Sequence, residues 1–357
     1  MSISPKTYDI VIVGAGPSGA TLARLVSSRF SVAIIDRRNL HEGDNPKNEK
    51  CCGGLIAPDA QRMLASFGMA VPKSVTADPQ LFAVRTYDIG FSRERIYQRS
   101  YVNINREAFD RWLFSQIPSS VDRFTDTIIT DLQVGDSNTI LRGFRQGIPF
   151  NLSARVVIGA DGARSHIRRF CTYRSHEPRT YIALQGEFEL HERDPYYTAV
   201  FAPHLTDFYG WMIPKNGTIF AGVALDIHSR VTDSYQNFSE LVRRRFPFIG
   251  KEIRRNGAFI YRPSGFNDIM TGDNHIALVG EAAGFISPSS AEGFSFAFRS
   301  AQCLADSLND GIDGFTGRYR RYSSSLTYSI RAKTMKSPSM YTPWIRRMIL
   351  ASGFQSL

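Results

Sequence analysis

Three times along this chain a short apolar, β-branched run stops at a cluster of small residues and gives way to a helical pattern. The first run, residues 8–13 (YDIVIV), has the near-continuous apolar character of a strand buried on both faces. It leads straight into Gly14-x-Gly16-Pro17-Ser18-Gly19, after which Ala20, Leu22, Ala23 and Val26 give a helix one packing face. Residues 31–35 form a second strand, closed by Asp36 and Arg37. The second occurrence has a strand at 156–158, a turn at Ala160-Asp161-Gly162, and a following basic helix that holds Arg164, Ser165, Arg168 and Arg169. The third has a strand at 276–279, a turn at Gly280-Glu281-Ala282-Ala283-Gly284 and a long amphipathic helix over 291–308.

Between Tyr181 and Tyr261 the period changes to two. YIALQGEFEL, YYTAVFA, DFYGWMIPK, GTIFAGVAL and GAFIYRP read as successive strands separated by short polar turns, an antiparallel sheet to which the segment 78–103 adds further strands. Alternation sends Tyr209, Trp211 and Ile213 to one face, either as an aromatic core strand or as an apolar wall beside a hydrophobic substrate. The pattern as a whole predicts an α/β protein with a nucleotide lobe and a sheet lobe.

The first glycine cluster has the chemistry of a dinucleotide grip. Gly14 permits the tight turn, Gly16 lets backbone approach a pyrophosphate, and Gly19 lets helix and strand pack closely. The helix start supplies free N–H groups and a positive dipole end for phosphates, and Asp36, some twenty residues on, is placed to accept from ribose hydroxyls. Its place at the start of the chain favours FAD over NAD, although the motif by itself is common to both. No second GxGxxG follows, so NAD(P)H has no dedicated domain and visits transiently or is replaced by another electron donor.

Composition narrows the class. The chain has 357 residues, enough for two lobes, with 43% hydrophobic and 21% charged residues, as in a globular enzyme. No apolar run reaches the length of a membrane span and no signal-peptide pattern opens the chain, so a cytoplasmic location is expected. The four cysteines, Cys51, Cys52, Cys171 and Cys303, lack metal-finger spacing, and adjacent cysteines bridge only under strain, so neither a metal nor a disulfide is expected. The net charge of +10 is compatible with anionic cofactors, substrates or membrane. No helix-turn-helix, zinc-finger or aromatic RNA-binding signature accompanies it, which argues against nucleic acid.

Taken together, GAGPSG, ADGARS and GEAAGF resemble the FAD-dependent oxidoreductases of the p-hydroxybenzoate-hydroxylase fold, over nearly the whole chain. The resemblance implies a Rossmann-like FAD lobe. Glu281 stands where the family usually has aspartate; it keeps an acceptor for the ribityl chain but reaches one methylene further. Arg106, in NINREAFDRWL, matches an arginine that contacts FAD at a helix start. Gly284, Gly293 and Phe294 lie where a helix N-terminus faces the N1–C2 carbonyl edge of the flavin and stabilises its reduced anion. Tyr209-x-Trp211-x-Ile213-Pro214-Lys215 is similar to the Y-x-W-x-F-P-K signature of geranylgeranyl reductases, with Ile213 replacing phenylalanine. The W-x-W-x-I-P of flavin halogenases is broken by Tyr209. Cys52-Gly53-Gly54 resembles the Cys-Gly-Gly of the geranylgeranyl-reductase-like branch, which implies glycine backbone close to the isoalloxazine and Cys52 against its reactive face as proton donor or polarity-setting wall. Cys51 is then a packed thiol.

The resulting expectation is a discontinuous FAD-binding domain (1–77, 104–178 and 270–310), a substrate domain (78–103 and 179–269) and a C-terminal helical segment (311–357). The expected activity is reduction of carbon–carbon double bonds in an apolar, isoprenoid-like small molecule or lipid, with Cys52, Tyr209 and Trp211 as catalytic candidates. A flavin monooxygenase and a non-enzymatic flavin redox sensor are the alternatives. The segment YTPWIRRMILASGF carries Trp344, Ile345, Met348, Ile349 and Leu350 beside Arg346 and Arg347, as an interfacial amphipathic helix in peripheral membrane contact or as a cap on the substrate lobe.

Overall fold

A computed structural model of the chain describes residues 6–41, 43, 50–171, 179–264 and 268–352. The parts of the expected domain ranges outside these intervals lie outside the described residues. In chain order the elements are β1 (Thr7–Val13), α1 (Pro17–Val26), β2 (Val32–Ile35), β3 (Leu55–Ile56), α2 (Pro58–Ser66), β4 (Leu81–Asp88), β5 (Arg93–Asn103), α3 (Arg106–Ser115), β6 (Asp122–Phe124), β7 (Thr127–Val134), β8 (Thr139–Arg145) and β9 (Ile148–Gly159). There follow β10 (Thr180–Leu190), β11 (Tyr197–Phe201), β12 (Gly210–Lys215), β13 (Thr218–Asp226), α4 (Val231–Arg245), β14 (Ile249–Tyr261), β15 (Gly272–Asp273), β16 (Ile276–Leu278), α5 (Phe294–Asn309), α6 (Phe315–Tyr322), α7 (Ser324–Tyr341) and α8 (Pro343–Ala351).

These strands make two sheets. The first runs β15-β16-β9-β1-β2-β6, with β7 and β8 paired onto the long β9. Its centre is parallel, with Ile10 opposite both Val32 and Val156. The apolar residues of β1, β2 and β16 are buried from both sides, which is why these strands read as unbroken apolar runs. Helix α1 packs against α5, and α5 against α2 and α6. The second sheet runs β14-β10-β13-β12-β11-β4-β5-β3. One face, with Met212, Ile219, Ala221 and Val223, is covered by Tyr235, Phe238 and Val242 of α4. The other carries Tyr181, Tyr209, Trp211, Ile213 and Ala224 toward the first lobe. Covered on both sides, all six residues of β12 are buried.

Several expectations change. The segment after Gly162 is not a basic helix but a short 3-10 turn over Ile167–Phe170, because the Asp161 carboxylate accepts from the His166 and Ile167 amides and ties the chain into a tight cap. The late helix starts at Phe294 rather than 291, after residues whose backbone is taken up by a turn from Ser287 to Glu292. The second sheet is not wholly antiparallel: β11 lies parallel to β4, with Tyr197 opposite Val84. Strand β3 belongs to the edge of that sheet, although residues 55–56 fall inside the range expected for the nucleotide lobe.

Helix α8 is fastened to the second sheet by one buried ion pair. Arg346, 1% exposed, donates through Nε to Asp88, which is fully buried, and through Nη1 to the Met340 carbonyl. Breaking a buried pair leaves an uncompensated charge and costs about 3–5 kcal/mol, whereas replacing both partners costs far less. Arg346→Leu is therefore expected to lower stability by about that amount, or to release α8 locally, and Asp88→Asn/Arg346→Leu to recover part of the loss. Urea unfolding, with limited proteolysis of the C-terminal segment, measures both.

Candidate active site

The nucleotide end of the site is built by backbone. Gly14 has φ +108°, and a Cβ there would lie 2.4 Å from the Ala160 carbonyl oxygen, so the first loop rests directly on the second motif. Gly19 is pressed against the Gly14 carbonyl, whereas Gly16 has no atom within 4 Å on its Cβ side. Helix α1 starts at Pro17 with no side chain capping its first N–H groups. An uncapped helix start behind an open glycine fits a pyrophosphate. Gly280 packs onto Ser18, and its N–H donates to Ser300 Oγ at 2.9 Å, which joins the third motif to the first.

Asp36 is buried and fully engaged. Its Oδ1 accepts from the Arg38 amide (2.8 Å) and Nε (3.1 Å), and its Oδ2 from the Ala15 amide (2.7 Å) and Arg38 Nη2 (3.1 Å). All four acceptor positions of the carboxylate are thus met by protein donors. Arg37 beside it is exposed. Arg38 continues inward: its Nη1 donates to Asp110 Oδ2 at 2.7 Å, and Arg106 Nε donates to Asp110 Oδ1 at 2.9 Å. Burial works against ionising Asp110, but Arg106 and Arg38 hold its carboxyl down at about 2. Arg106 in turn lies over the Phe294 ring, 5.0 Å from the centroid, and beside the Cys52 thiol. Burial raises that thiol, yet Arg106, the Gly54 amide and Lys50 outweigh it and keep it below the ordinary thiol range.

The two glycines after Cys52 owe their place to the second sheet. A Cβ on Gly53 would lie 2.6 Å from Ile213 Cδ1, and Gly54, with φ +63°, would meet the Ile104 carbonyl at 2.5 Å and Lys215 Nζ at 3.0 Å. Lys215, 6% exposed, donates to Asn103 Oδ1 and to the Ile104 carbonyl (2.7 Å). Burial pushes its ammonium down to about 7, with Cys52 pulling the other way. Cys51 is a packed thiol, with Sγ 3.7 Å from the Ala183 carbonyl, and all four cysteines are free. No metal-binding cluster occurs among the described residues.

Residues 287–293 close the site from the other side, and donors from the residue before β12, the end of α7 and the residue after β14 hold them by their carbonyls. Tyr209 donates to Ser290 O at 2.6 Å, Tyr341 to Ser289 O at 2.5 Å and Arg262 to Pro288 O at 3.3 Å. Glu292 accepts from Tyr101 (2.7 Å) and Arg99 (3.2 Å). Gly293, at the start of α5, has only Ile286 at 3.9 Å on its Cβ side. Gly284 is a packing glycine, because a Cβ there would lie 2.6 Å from the Asp268 carbonyl. Glu281 turns one oxygen to the Tyr261 amide (2.9 Å); burial raises its carboxyl, opposed by Lys50, that amide and Arg106. Asp161 is turned into its own loop, accepting from Ser165 as well as the turn amides, and Gly162 beside it has φ +83°.

Trp211 is buried and donates through Nε1 to Gln185 at 2.8 Å; its ring lies 6.1 Å from that of Tyr209. Burial pushes the phenols of Tyr209 and neighbouring Tyr197 well above the ordinary range. Between the lobes is a cleft of about 260 Å³, bounded on one side by Lys50, Cys52 and Arg106 and on the other by Gln185, Phe220 and Asn256.

This arrangement is the FAD-binding fold of the flavoprotein oxidoreductases of p-hydroxybenzoate-hydroxylase type. The structure superposes on a geranylgeranyl bacteriochlorophyll reductase-like protein of Thermoplasma acidophilum with a TM-score of 0.78 at 20% identity, covering 97% of this chain and 88% of that one. It superposes on PqsL of Pseudomonas aeruginosa, a probable FAD-dependent monooxygenase, with a TM-score of 0.70 at 18% identity (98% and 100% covered). The flavin-dependent brominase Bmp2 gives 0.68 at 17% identity (97% of this chain and 93% of that one covered), and a triple mutant of it gives 0.72 at 17% (98% and 96% covered). No protein-family model matches the chain. It belongs to the CbrA family: it is 36% identical over 349 residues to protein CbrA of Escherichia coli O6:H1, covering 97% of this chain and 93% of that protein, and equally so to CbrA of Shigella sonnei, with 97% of each covered.

The structure therefore gathers Gly14, Gly16, Pro17, Ser18 and Gly19 with Gly280, and Cys52 with Arg106 and Phe294, as well as Tyr209 with Trp211. It leaves Arg37 outside. Asp110, Arg38, Lys215 and Glu292 are the residues that sequence reasoning missed. Only the Arg106–Asp110 pair had a local signal, its spacing of four on a helix.

The Cys52 thiol is held low, whereas burial raises Cys171 to about 12 and also raises Cys303. Alkylation of the flavin-free chain, with Cys52→Ser as background, is expected to set in below the pH of an ordinary thiol. Arg106→Gln should move that onset upward, and Lys50→Gln should move it less. The pH profile of iodoacetamide incorporation checks both.

Proposed function

We propose that the chain binds FAD non-covalently and reduces a carbon–carbon double bond of an apolar, isoprenoid-like substrate. The observation that carries this reading is the cleft in which Cys52, beside Lys50 and Arg106, faces Phe220 and Gln185 of the second sheet, with Trp211 bonded to Gln185 behind them. When bound, the flavin would supply a hydride. Every other contribution belongs to the chain. The open Gly16 and the start of α1 would take the pyrophosphate, and Gly293 with the start of α5 would face the pyrimidine edge. Arg106, kept charged by Asp110, adds positive charge on the Cys52 side. Tyr209, Trp211 and Phe220 exclude water and align an apolar chain, and Cys52 holds a proton at Sγ beside the cleft. NAD(P)H or another donor reaches the flavin from solvent.

The similarity of PqsL favours a second reading, oxygen activation toward a small aromatic molecule. Anaerobic stopped-flow absorbance separates the two. Reduced holoprotein mixed with polyprenyl compounds is expected to reoxidise without oxygen and to yield the saturated product. Stable reduced flavin under those conditions, with oxygen-dependent turnover of an aromatic compound, would give the second reading its place.

A further inference from the structure

We infer that α8 and the outer face of α7 form a surface that docks on an anionic lipid bilayer. Residues 314–357 contain eight arginines and lysines and no aspartate or glutamate, so about an eighth of the chain carries most of the net charge of +10. Within it Arg320, Arg321, Lys336 and Arg347 are exposed, and among the described residues none of them is in an ion pair. Large apolar side chains stand exposed among these cations: Trp344 (62%) and Met348 (62%), one turn apart on α8, and Tyr328 (65%) and Met335 (79%), two turns apart on α7. Exposed tryptophan and methionine interleaved with arginine and lysine, without an acid to repel anionic headgroups, is the pattern of a helix lying in a membrane interface. An acidic protein surface would complement the charge but would leave four bulky apolar groups unexplained.

The pair is anchored for such a role. Arg346 ties α8 to Asp88 beneath it, and Arg95 of β5 reaches the Ile349 and Leu350 carbonyls at its end (3.4 and 3.5 Å). One turn before Trp344, the Tyr341 ring packs on Phe201 and Phe208, and Met340 joins the same aromatic cluster. The bilayer face is thus the outer side of a wall whose inner side is the aromatic face. Docking does not depend on the reaction proposed above.

Flotation of the holoprotein with vesicles tests it. Vesicles of equal parts phosphatidylcholine and phosphatidylglycerol are expected to carry the protein up the gradient, and phosphatidylcholine alone to carry little. Binding should fade toward 1 M salt, where the Debye length is about 3 Å. Arg320→Gln/Arg321→Gln/Arg347→Gln should weaken partition about fivefold for each charge removed, the equivalent of ~1 kcal/mol per cation near an anionic surface. Trp344→Ser/Met348→Ser should weaken it by at least about tenfold with flavin absorbance and melting unchanged. Absence of flotation, or flotation indifferent to both sets of substitutions, would overturn the proposal. So would self-association abolished by those same substitutions without vesicle binding, since the face would then belong to a second copy.

Discussion

Everything at the site is arranged around Asp110, a carboxylate with 1% exposure that receives one arginine from each side. A lone buried carboxylate would take up a proton. With Arg38 and Arg106 both donating, it stays ionised, and each arginine gains a fixed position. Arg38 is thereby pinned against Asp36 at the nucleotide turn, and Arg106 against Phe294 and Cys52 at the reactive end. Alternating charges, Asp36–Arg38–Asp110–Arg106, run from the nucleotide turn to the Cys52 thiol. The thiol is acidic because it ends that series.

The second sheet supplies a different constraint. Buried donors on its inner face, Tyr209, Arg262 and Lys215 among them, take the carbonyls of residues 287–293 and the backbone around Gly54. Each such bond is worth about 1 kcal/mol net, but leaving its partner unmade inside the protein costs more. The two lobes therefore cannot separate without orphaning several groups at once, and the backbone around Gly54 and residues 287–293 is held against the second sheet.

Much of this was legible in the chain. The parallel strands and their glycine turns follow from local pattern, since a strand buried on both faces must be apolar throughout, and a helix start facing a phosphate must lack a bulky cap. Period-two alternation put Tyr209, Trp211 and Ile213 on one face, and the fold agrees. The rest depended on distant partners. Gly53 and Gly54 look like residues cleared for a ligand, but Ile213, Ile104 and Lys215 occupy that space. Asp36 looks like a free acceptor until Arg38 folds back onto it. Arg38 and Asp110 are 72 residues apart and no periodicity links them. The β7–β8 hairpin escaped because apolar residues on its exposed face, Ile128, Val134 and Phe144, mask in the sequence an alternation that the burial keeps.

Asp110 is the charge that holds Arg38 and Arg106 in place. Fluorescence titration of the apoprotein with FAD, comparing wild type with Asp110→Asn, measures this directly, with circular dichroism to verify the fold. Asparagine keeps the shape and removes the charge, leaving two buried arginines partly uncompensated. FAD affinity is predicted to fall by about 10- to 100-fold, equivalent to about 1.4–2.8 kcal/mol and thus a part of the ~3–5 kcal/mol lost when one member of a buried pair is removed. Unchanged affinity in a folded Asp110→Asn protein would contradict the account.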